Sequence, residues 1–178
     1  MTTAPQPVEI KNLRINPLND PDELRDFDSG EHEVDRHIEK CCDWHGRYRN
    51  RTFCVFLPNQ ELAVGFYCLG ISATESKYLD DEIVRSHGSF RYVPFIYLNY
   101  LAVRSEHQNN KIGTVLLMNA LVQCAHTILN IGIYGVALHA LNDRSAGLYD
   151  RYGFREYGER KKHPFMILPA QSVLDLFT

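Results

Sequence analysis

The chain has 178 residues, 44% hydrophobic and 23% charged, with a formal net charge of −3 and a sequence pI near 6.2. That length suits one domain, 1–178, with a sizeable core, and that composition is ordinary for a soluble globular protein. The acidic balance excludes a whole-surface nucleic-acid binder, so any contact with RNA must use a local patch. No apolar run approaches the length needed to cross a bilayer, so no membrane partner is expected. Residues Met1 to Val8 lack the charged-then-apolar layout of a secretory signal, and a cytoplasmic location is the default. Five cysteines, Cys41, Cys42, Cys54, Cys68 and Cys124, show no C-x-x-C spacing. They read as buried free thiols, with neither a disulfide framework nor a metal site signalled.

Residues 1–7 read as a flexible arm, and Val8 to Leu18 as a first strand. Asp26-Phe27-Asp28-Ser29-Gly30 is turn chemistry, with Ser29 as a candidate cap for a helix from Glu31 to about His45. Val34, Ile38, Cys41 and His45 share one face of that helix. Arg47-Tyr48-Arg49-Asn50-Arg51 is the densest basic cluster. It is a candidate RNA contact, weighed against a solvated helix-to-strand connection. Thr52 to Leu57 and Leu62 to Ser72 read as strands joined by a turn at Pro58-Asn59-Gln60-Glu61. Ala73 to Tyr92 is polar and mixed in sign.

Pro94 precedes a central strand, Phe95 to Val103. A polar turn, Arg104-Ser105-Glu106-His107, leads to Gln108-Asn109-Asn110-Lys111-Ile112-Gly113. From Lys111 a long helical pattern begins, with Val115, Met118, Val122, Ala125 and Leu129 at helical spacing and Leu116 and Leu121 beside them. A loop and helix N-terminus that gather backbone N–H groups suit a pyrophosphate. Tyr134 to Leu141 reads as the next strand. Asn142-Asp143-Arg144-Ser145-Ala146-Gly147-Leu148-Tyr149 and Tyr152-Gly153-Phe154 follow, and the chain ends on Phe165 to Pro169 and Ser172 to Phe177.

The order Leu101-Ala102-Val103, then Gln108 through Gly113, then a helix resembles the acetyl-CoA core of the GNAT N-acetyltransferases. That family's usual loop is Q/R-x-x-G-x-G/A, so Lys111 stands where the middle glycine usually lies. Asn142 to Phe154 resembles the second half of the same fold. The resemblance implies an α/β fold with a central mixed sheet flanked by helices. The segments Phe27-Asp28-Ser29-Gly30, Arg51 to Phe56, Val64 to Leu69 and the C-terminal end are similar to one GNAT subgroup, the toxins of bacterial toxin–antitoxin modules. These acetylate the free amino group of aminoacyl-tRNA and so stop translation. Members commonly carry Gly-Arg where this chain has Asn99-Tyr100.

The resemblance implies acetyl-CoA as cosubstrate, with no metal. Backbone groups of Leu101, Ala102 and Val103 would pair with the pantetheine arm. Gln108, Asn109, Asn110, Lys111, Ile112 and Gly113 would hold the pyrophosphate, with Thr114 in the same cofactor-binding set. Asn142 would hold the amide end, and Tyr149 would be the general acid near the sulfur. On the acceptor side stand Arg47, Arg49, Arg51, Tyr100 and His139. Partners implied are aminoacyl-tRNA, a ribbon-helix-helix antitoxin and a second copy of the chain in a homodimer. Two other readings stay open: a GNAT enzyme acting on a small amine or a protein N-terminus, and a GNAT-like binding module.

Overall fold

A computed structural model describes residues 10–79, 82–83, 85, 88, 90–158 and 162–178. The N-terminal arm expected at 1–7, and parts of the polar stretch before Tyr92, lie outside the described residues. Seven strands form one mixed sheet: β1 (Arg14–Pro17), β2 (Asn50–Phe56), β3 (Gly65–Glu75), β4 (Tyr92–Val103), β5 (Gly135–His139), β6 (Arg155–Glu156) and β7 (Phe165–Pro169). Their order is β1-β2-β3-β4-β5-β7-β6. Helices are α1 (His32–Asp35), α2 (Ile38–Gly46), α3 (Ile112–Asn130), α4 (Asp143–Asp150) and α5 (Ala170–Asp175). The mixed α/β class expected from the sequence is the one found.

The chain divides into two compact units, Met1–Leu69 with Tyr100–Ala120, and Gly70–Asn99 with Leu121–Thr178. In the first, β1 pairs antiparallel with β2, from Arg14↔Phe56 to Pro17↔Phe53. Its core gathers Leu24, Phe27, Cys41, Phe56, Phe66, Cys68 and Ala102, with Val34, Ile38 and Tyr100 packed against them. Phe27 meets Phe66 edge-on at 5.1 Å. Arg104, just past β4, donates to the carbonyls of Ala63, Asp26 and Arg25 at 2.8, 2.6 and 2.7 Å. Its guanidinium also lies 4.9 Å from the Phe27 ring centroid.

The second unit pairs β4 with β5 in parallel over Phe95↔Gly135 to Tyr97↔Ala137. On its other edge β5 pairs antiparallel with β7 along its whole length, from Gly135↔Pro169 to His139↔Phe165. The core here is Leu79, Ile83, Val93, Phe95, Ala137 and Ile167, lined by Tyr97, Tyr134, Tyr157 and Phe165. A Cβ on Gly135 would lie 2.3 Å from the Leu168 carbonyl oxygen, so only glycine lets β5 and β7 meet this closely.

Three sequence expectations change. Among the described residues the first strand is Arg14–Pro17, preceded by a short 3-10 turn at Ile10–Asn12, and Val8 and Glu9 of the expected strand lie outside them. The helix expected from Glu31 to His45 is two helices, and Ser29 does not cap either. Its Oγ donates to Asp35 Oδ1 at 2.6 Å and its amide to the same carboxylate at 3.0 Å. That pair folds Asp35 back over the turn, and the short α1 ends there.

The buried stripe of α3 is Ile112, Leu116, Leu117, Ala120, Leu121, Cys124 and Ala125, whereas Leu129 is 69% exposed. Val115, Met118 and Val122 are only half-buried. A helix apolar nearly all round carries several stripes of the same period, and periodicity alone cannot choose among them. By length and composition α3 could also cross a membrane, with a mean hydropathy of 1.6, so the expectation of no such apolar run fails. Its buried stripe is that of a core helix.

Candidate active site

Of the residues marked by the sequence, Tyr100 to Val103, Gln108 to Thr114 and the three arginines fall in the first unit. His139, Asn142 and Tyr149 fall in the second.

In the first unit, β4 delivers Leu101, Ala102 and Val103 to a short 3-10 turn at Ser105–His107 and then to the loop. Gln108 Nε2 donates to the Ser29 carbonyl at 2.8 Å and to the Val103 carbonyl at 3.1 Å. The Ser105 amide donates to the Asp28 carbonyl at 2.9 Å. The Phe27-to-Gly30 turn and the glutamine loop, two separate motifs in the sequence, therefore brace each other. The Gln108 side chain anchors the loop.

Asn109 and Lys111 adopt φ of 64° and 61°. Left-handed residues in a turn aim successive N–H groups to one side, which is an anion-binding shape. Lys111 thus takes a conformation that suits the glycine of the related motif, against a steric resistance of about 1–2 kcal/mol. The helix starts at Ile112 rather than Lys111. The first N–H groups of a helix, here those of Ile112, Gly113 and Thr114, have no intrahelical acceptor and carry the positive end of the dipole. A Cβ on Gly113 would touch Val103 Cγ2 at 3.8 Å and Leu101 Cδ2 at 4.0 Å, ordinary contact distances. Nothing in the chain's own packing demands glycine there. Tyr100 is half-buried, its ring 5.5 Å from that of His37, and burial is the main cause raising its pKa.

The three arginines differ. Arg47 Nε pairs with Asp43 at 2.7 Å. Arg49 lies 4.5 Å from the Trp44 ring centroid, which also carries Lys40 Nζ at 4.6 Å. Arg51 lies 5.5 Å from that of Tyr48. Lys40 and Trp44 were passed over in the sequence, although four residues apart on one helix they were placed to meet. Tyr48 closes α2: its amide bonds to the His45 carbonyl at 3.1 Å, and the Arg49 amide to that of Trp44 at 2.9 Å. This helix ending usually takes glycine. Tyr48 occupies it at φ 57° with its side chain 83% exposed.

In the second unit, Asn142 caps α4. Its Oδ1 accepts from the Ser145 amide at 3.0 Å, while Ser145 Oγ accepts from the Asn142 amide at 3.0 Å. Tyr149 is 8% exposed and meets Phe154 edge-on at 5.7 Å. Burial pushes its phenol up to about 12. An unperturbed tyrosine lies near 10; the core packing raises it here. Against a thiol of about 8.5, full proton transfer is then uphill by roughly 5 kcal/mol. A hydrogen bond donated to a developing thiolate needs no such transfer and still stabilises it. His139 is exposed on the last residue of β5, with Nδ1 2.9 Å from the Tyr97 hydroxyl and its ring 5.1 Å from Phe165.

A family profile described as "Acetyltransferase (GNAT) family" matches residues 18–154. The chain belongs to this family. The match covers both the glutamine loop and the Asn142-to-Phe154 segment of this GNAT chain. A curated relative, the tRNA-acetylating toxin of Mycobacterium tuberculosis (strain ATCC 25618 / H37Rv), is 26% identical over 137 residues, 77% of this chain and 81% of that protein. Among solved structures, a tyrosine-to-phenylalanine mutant of KacT superposes with a TM-score of 0.82 at 22% identity, over 93% of this chain and 99% of that one. AtaT complexed with acetyl-methionyl-tRNAfMet gives 0.80 at 24% identity, over 93% and 99% of the two chains. AtaTR bound with AcCoA gives 0.79 at 24%, over 95% and 100%. These superpositions show that the GNAT fold is shared along nearly the whole chain.

Proposed function

We propose that this GNAT enzyme transfers the acetyl group of acetyl-CoA to the free amino group of an aminoacyl-tRNA, blocking translation as the toxin of a toxin–antitoxin module. The observation that carries it is the match, along most of both chains, to a protein named tRNA-acetylating toxin. The likeness to AtaT structures with acetyl-methionyl-tRNAfMet and with AcCoA supports it.

In this proposal the backbone of Leu101, Ala102 and Val103 pairs with the pantetheine arm as an added strand. The loop from Gln108 through Gly113, with the first turn of α3 at Thr114, receives the pyrophosphate. Asn142 holds the amide end while capping α4. The neutral acceptor nitrogen attacks the thioester carbonyl, the C–N bond forms, the C–S bond breaks, and the surplus proton left on nitrogen passes through water to the departing thiolate. Tyr149 stabilises the departing thiolate by a donated hydrogen bond. The amine sheds its proton before attack. An α-amino group has a pKa of about 7.7–8.0, against about 10.4 for lysine, and a neighbouring ester lowers it further. Such an acceptor is far less protonated near pH 7 than a lysine and hardly needs a strong base. Tyr100, His139 and the arginines are assigned to the acceptor side.

The partners in this proposal are charged tRNA in the cytoplasm, a ribbon-helix-helix antitoxin and a second copy of the chain. AtaT is known bound to the C-terminus of the antitoxin AtaR, which supports the antitoxin. Charged tRNA incubated with the protein and labelled acetyl-CoA should yield labelled aminoacyl ester. Label found only on a small free amine, and none on charged tRNA, would reject the proposal.

A further inference from the structure

Around the junction of α2 and β2, three cations are held by rings rather than by carboxylates, while Arg47 between them pairs with Asp43. Lys40 and Arg49 lie over Trp44, and Arg51 over Tyr48. A carboxylate would fix these cations and cancel their charge. A neutral ring fixes them and leaves the charge whole. None of the ion pairs among the described residues includes Lys40, Arg49 or Arg51. From Arg36 to Arg51 there are five Lys or Arg against two Asp or Glu, in a chain of net charge −3. The local sign is opposite to that of the whole.

Beside the cations, Tyr48 stands almost fully in solvent, in a backbone conformation that disfavours a side chain. A strained, exposed aromatic points to use rather than packing. We propose that this surface seats an unpaired stretch of RNA, with phosphates on Lys40, Arg49 and Arg51 and one base stacked on Tyr48. The partner class rests on the tRNA-acetylation reading. An acidic peptide would satisfy the cations but has no use for the ring. Every base has a face that stacks on tyrosine.

Binding of uncharged tRNA at several salt concentrations tests this without any chemistry. Two variants are compared with the wild type: Tyr48→Gly, and the triple Lys40→Gln, Arg49→Gln, Arg51→Gln. Removing three single-strand phosphate contacts should lower the slope of log Kd against log salt by about two. Tyr48→Gly should raise Kd about tenfold and leave the slope unchanged. Glycine suits that helix end better than tyrosine, so a lowered melting temperature is not expected to confuse the result. Wild-type tRNA affinity and salt slope in both variants would overturn the proposal. So would weakened binding confined to an acidic peptide. Acetylation of charged tRNA by the wild type is scored separately: its absence rejects the enzymatic reading, while the binding comparison still decides the surface.

Discussion

The Thr52 amide donates to His45 Nδ1 at 3.0 Å, tying the last turn of α2 to β2. That nitrogen can accept only while the imidazole is neutral. Burial first, and then the Arg51 charge, lower the His45 pKa. The unfolded histidine, near 6.5, therefore binds its proton at a higher pH than the folded one. The stabilisation is fully present above the unfolded value and is lost as pH falls from about 6.5 through the lowered folded pKa. Melting followed from pH 8 to 5 should show falling stability below about 6.5, with His45 contributing at most about 1.4 kcal/mol per pH unit. His37, also lowered chiefly by burial, adds a slope of the same sign. His45→Asn should flatten the dependence; an unchanged slope would refute the assignment.

Two glycines near β4 should respond oppositely to alanine. A Cβ on Gly65 would stand 2.9 Å from the Ala102 carbonyl and 2.9 Å from Leu116 Cδ1, so backbone or core must move. Gly65→Ala should destabilise by about 1–3 kcal/mol, as overpacking does. Gly113→Ala meets only ordinary contacts and gains helix propensity of up to about 1 kcal/mol. In the proposed cofactor site, however, a methyl at the first turn of α3 stands against the pyrophosphate. The expected result is an unchanged or higher melting temperature with at least tenfold weaker acetyl-CoA binding by calorimetry. Unchanged affinity would remove Gly113 from the site.

The strand-turn-helix around Gln108 and the segment Asn142 to Phe154 were legible in the sequence because they are backbone patterns with few alternatives. The subdivision into α1 and α2 was not, because it depends on Asp35 bonding back to Ser29 rather than on local propensity. Arg104 read as part of a polar turn. Its three backbone carbonyl partners come from segments distant in sequence, which no local pattern reveals. The basic cluster was visible by composition. Which of its arginines keeps an uncancelled charge depended on whether a ring or a carboxylate lay beside it. The face of α3 was the hardest to read, since leucine, valine and methionine surround the helix and only the neighbouring strands select the buried stripe.

Tyr149→Phe separates donation from packing. The ring stays against Phe154, so the melting temperature should change little, within about 1 kcal/mol of stability. Loss of one donor to a developing anion lowers kcat by about 100- to 1,000-fold in comparable sites. Acetyl-CoA affinity should remain, because in the proposed mechanism the phenol acts only on the leaving sulfur. Burial holds the phenol protonated, with a pKa of about 12, so the wild-type rate should show no decline from its ionisation below about pH 11. A Tyr149→Phe enzyme with wild-type kcat would exclude the phenol from the reaction.

Lys111→Gly sets strain against charge. At φ 61° the lysine resists its conformation by about 1–2 kcal/mol, which glycine relieves. Glycine also loses more backbone freedom on folding, about 0.5–1 kcal/mol, so the net gain in stability should be about 1 kcal/mol or less. The same change removes an exposed ammonium from the loop proposed to hold the pyrophosphate. If that charge contributes, acetyl-CoA binding should weaken several-fold and its salt dependence should diminish, even as the protein becomes more stable. Lys111→Ala keeps the strain and loses the charge, and should show the affinity loss without the gain in stability. Equal affinity in wild type and both variants would mean that the backbone of the loop suffices and that lysine at this position adds nothing to phosphate binding.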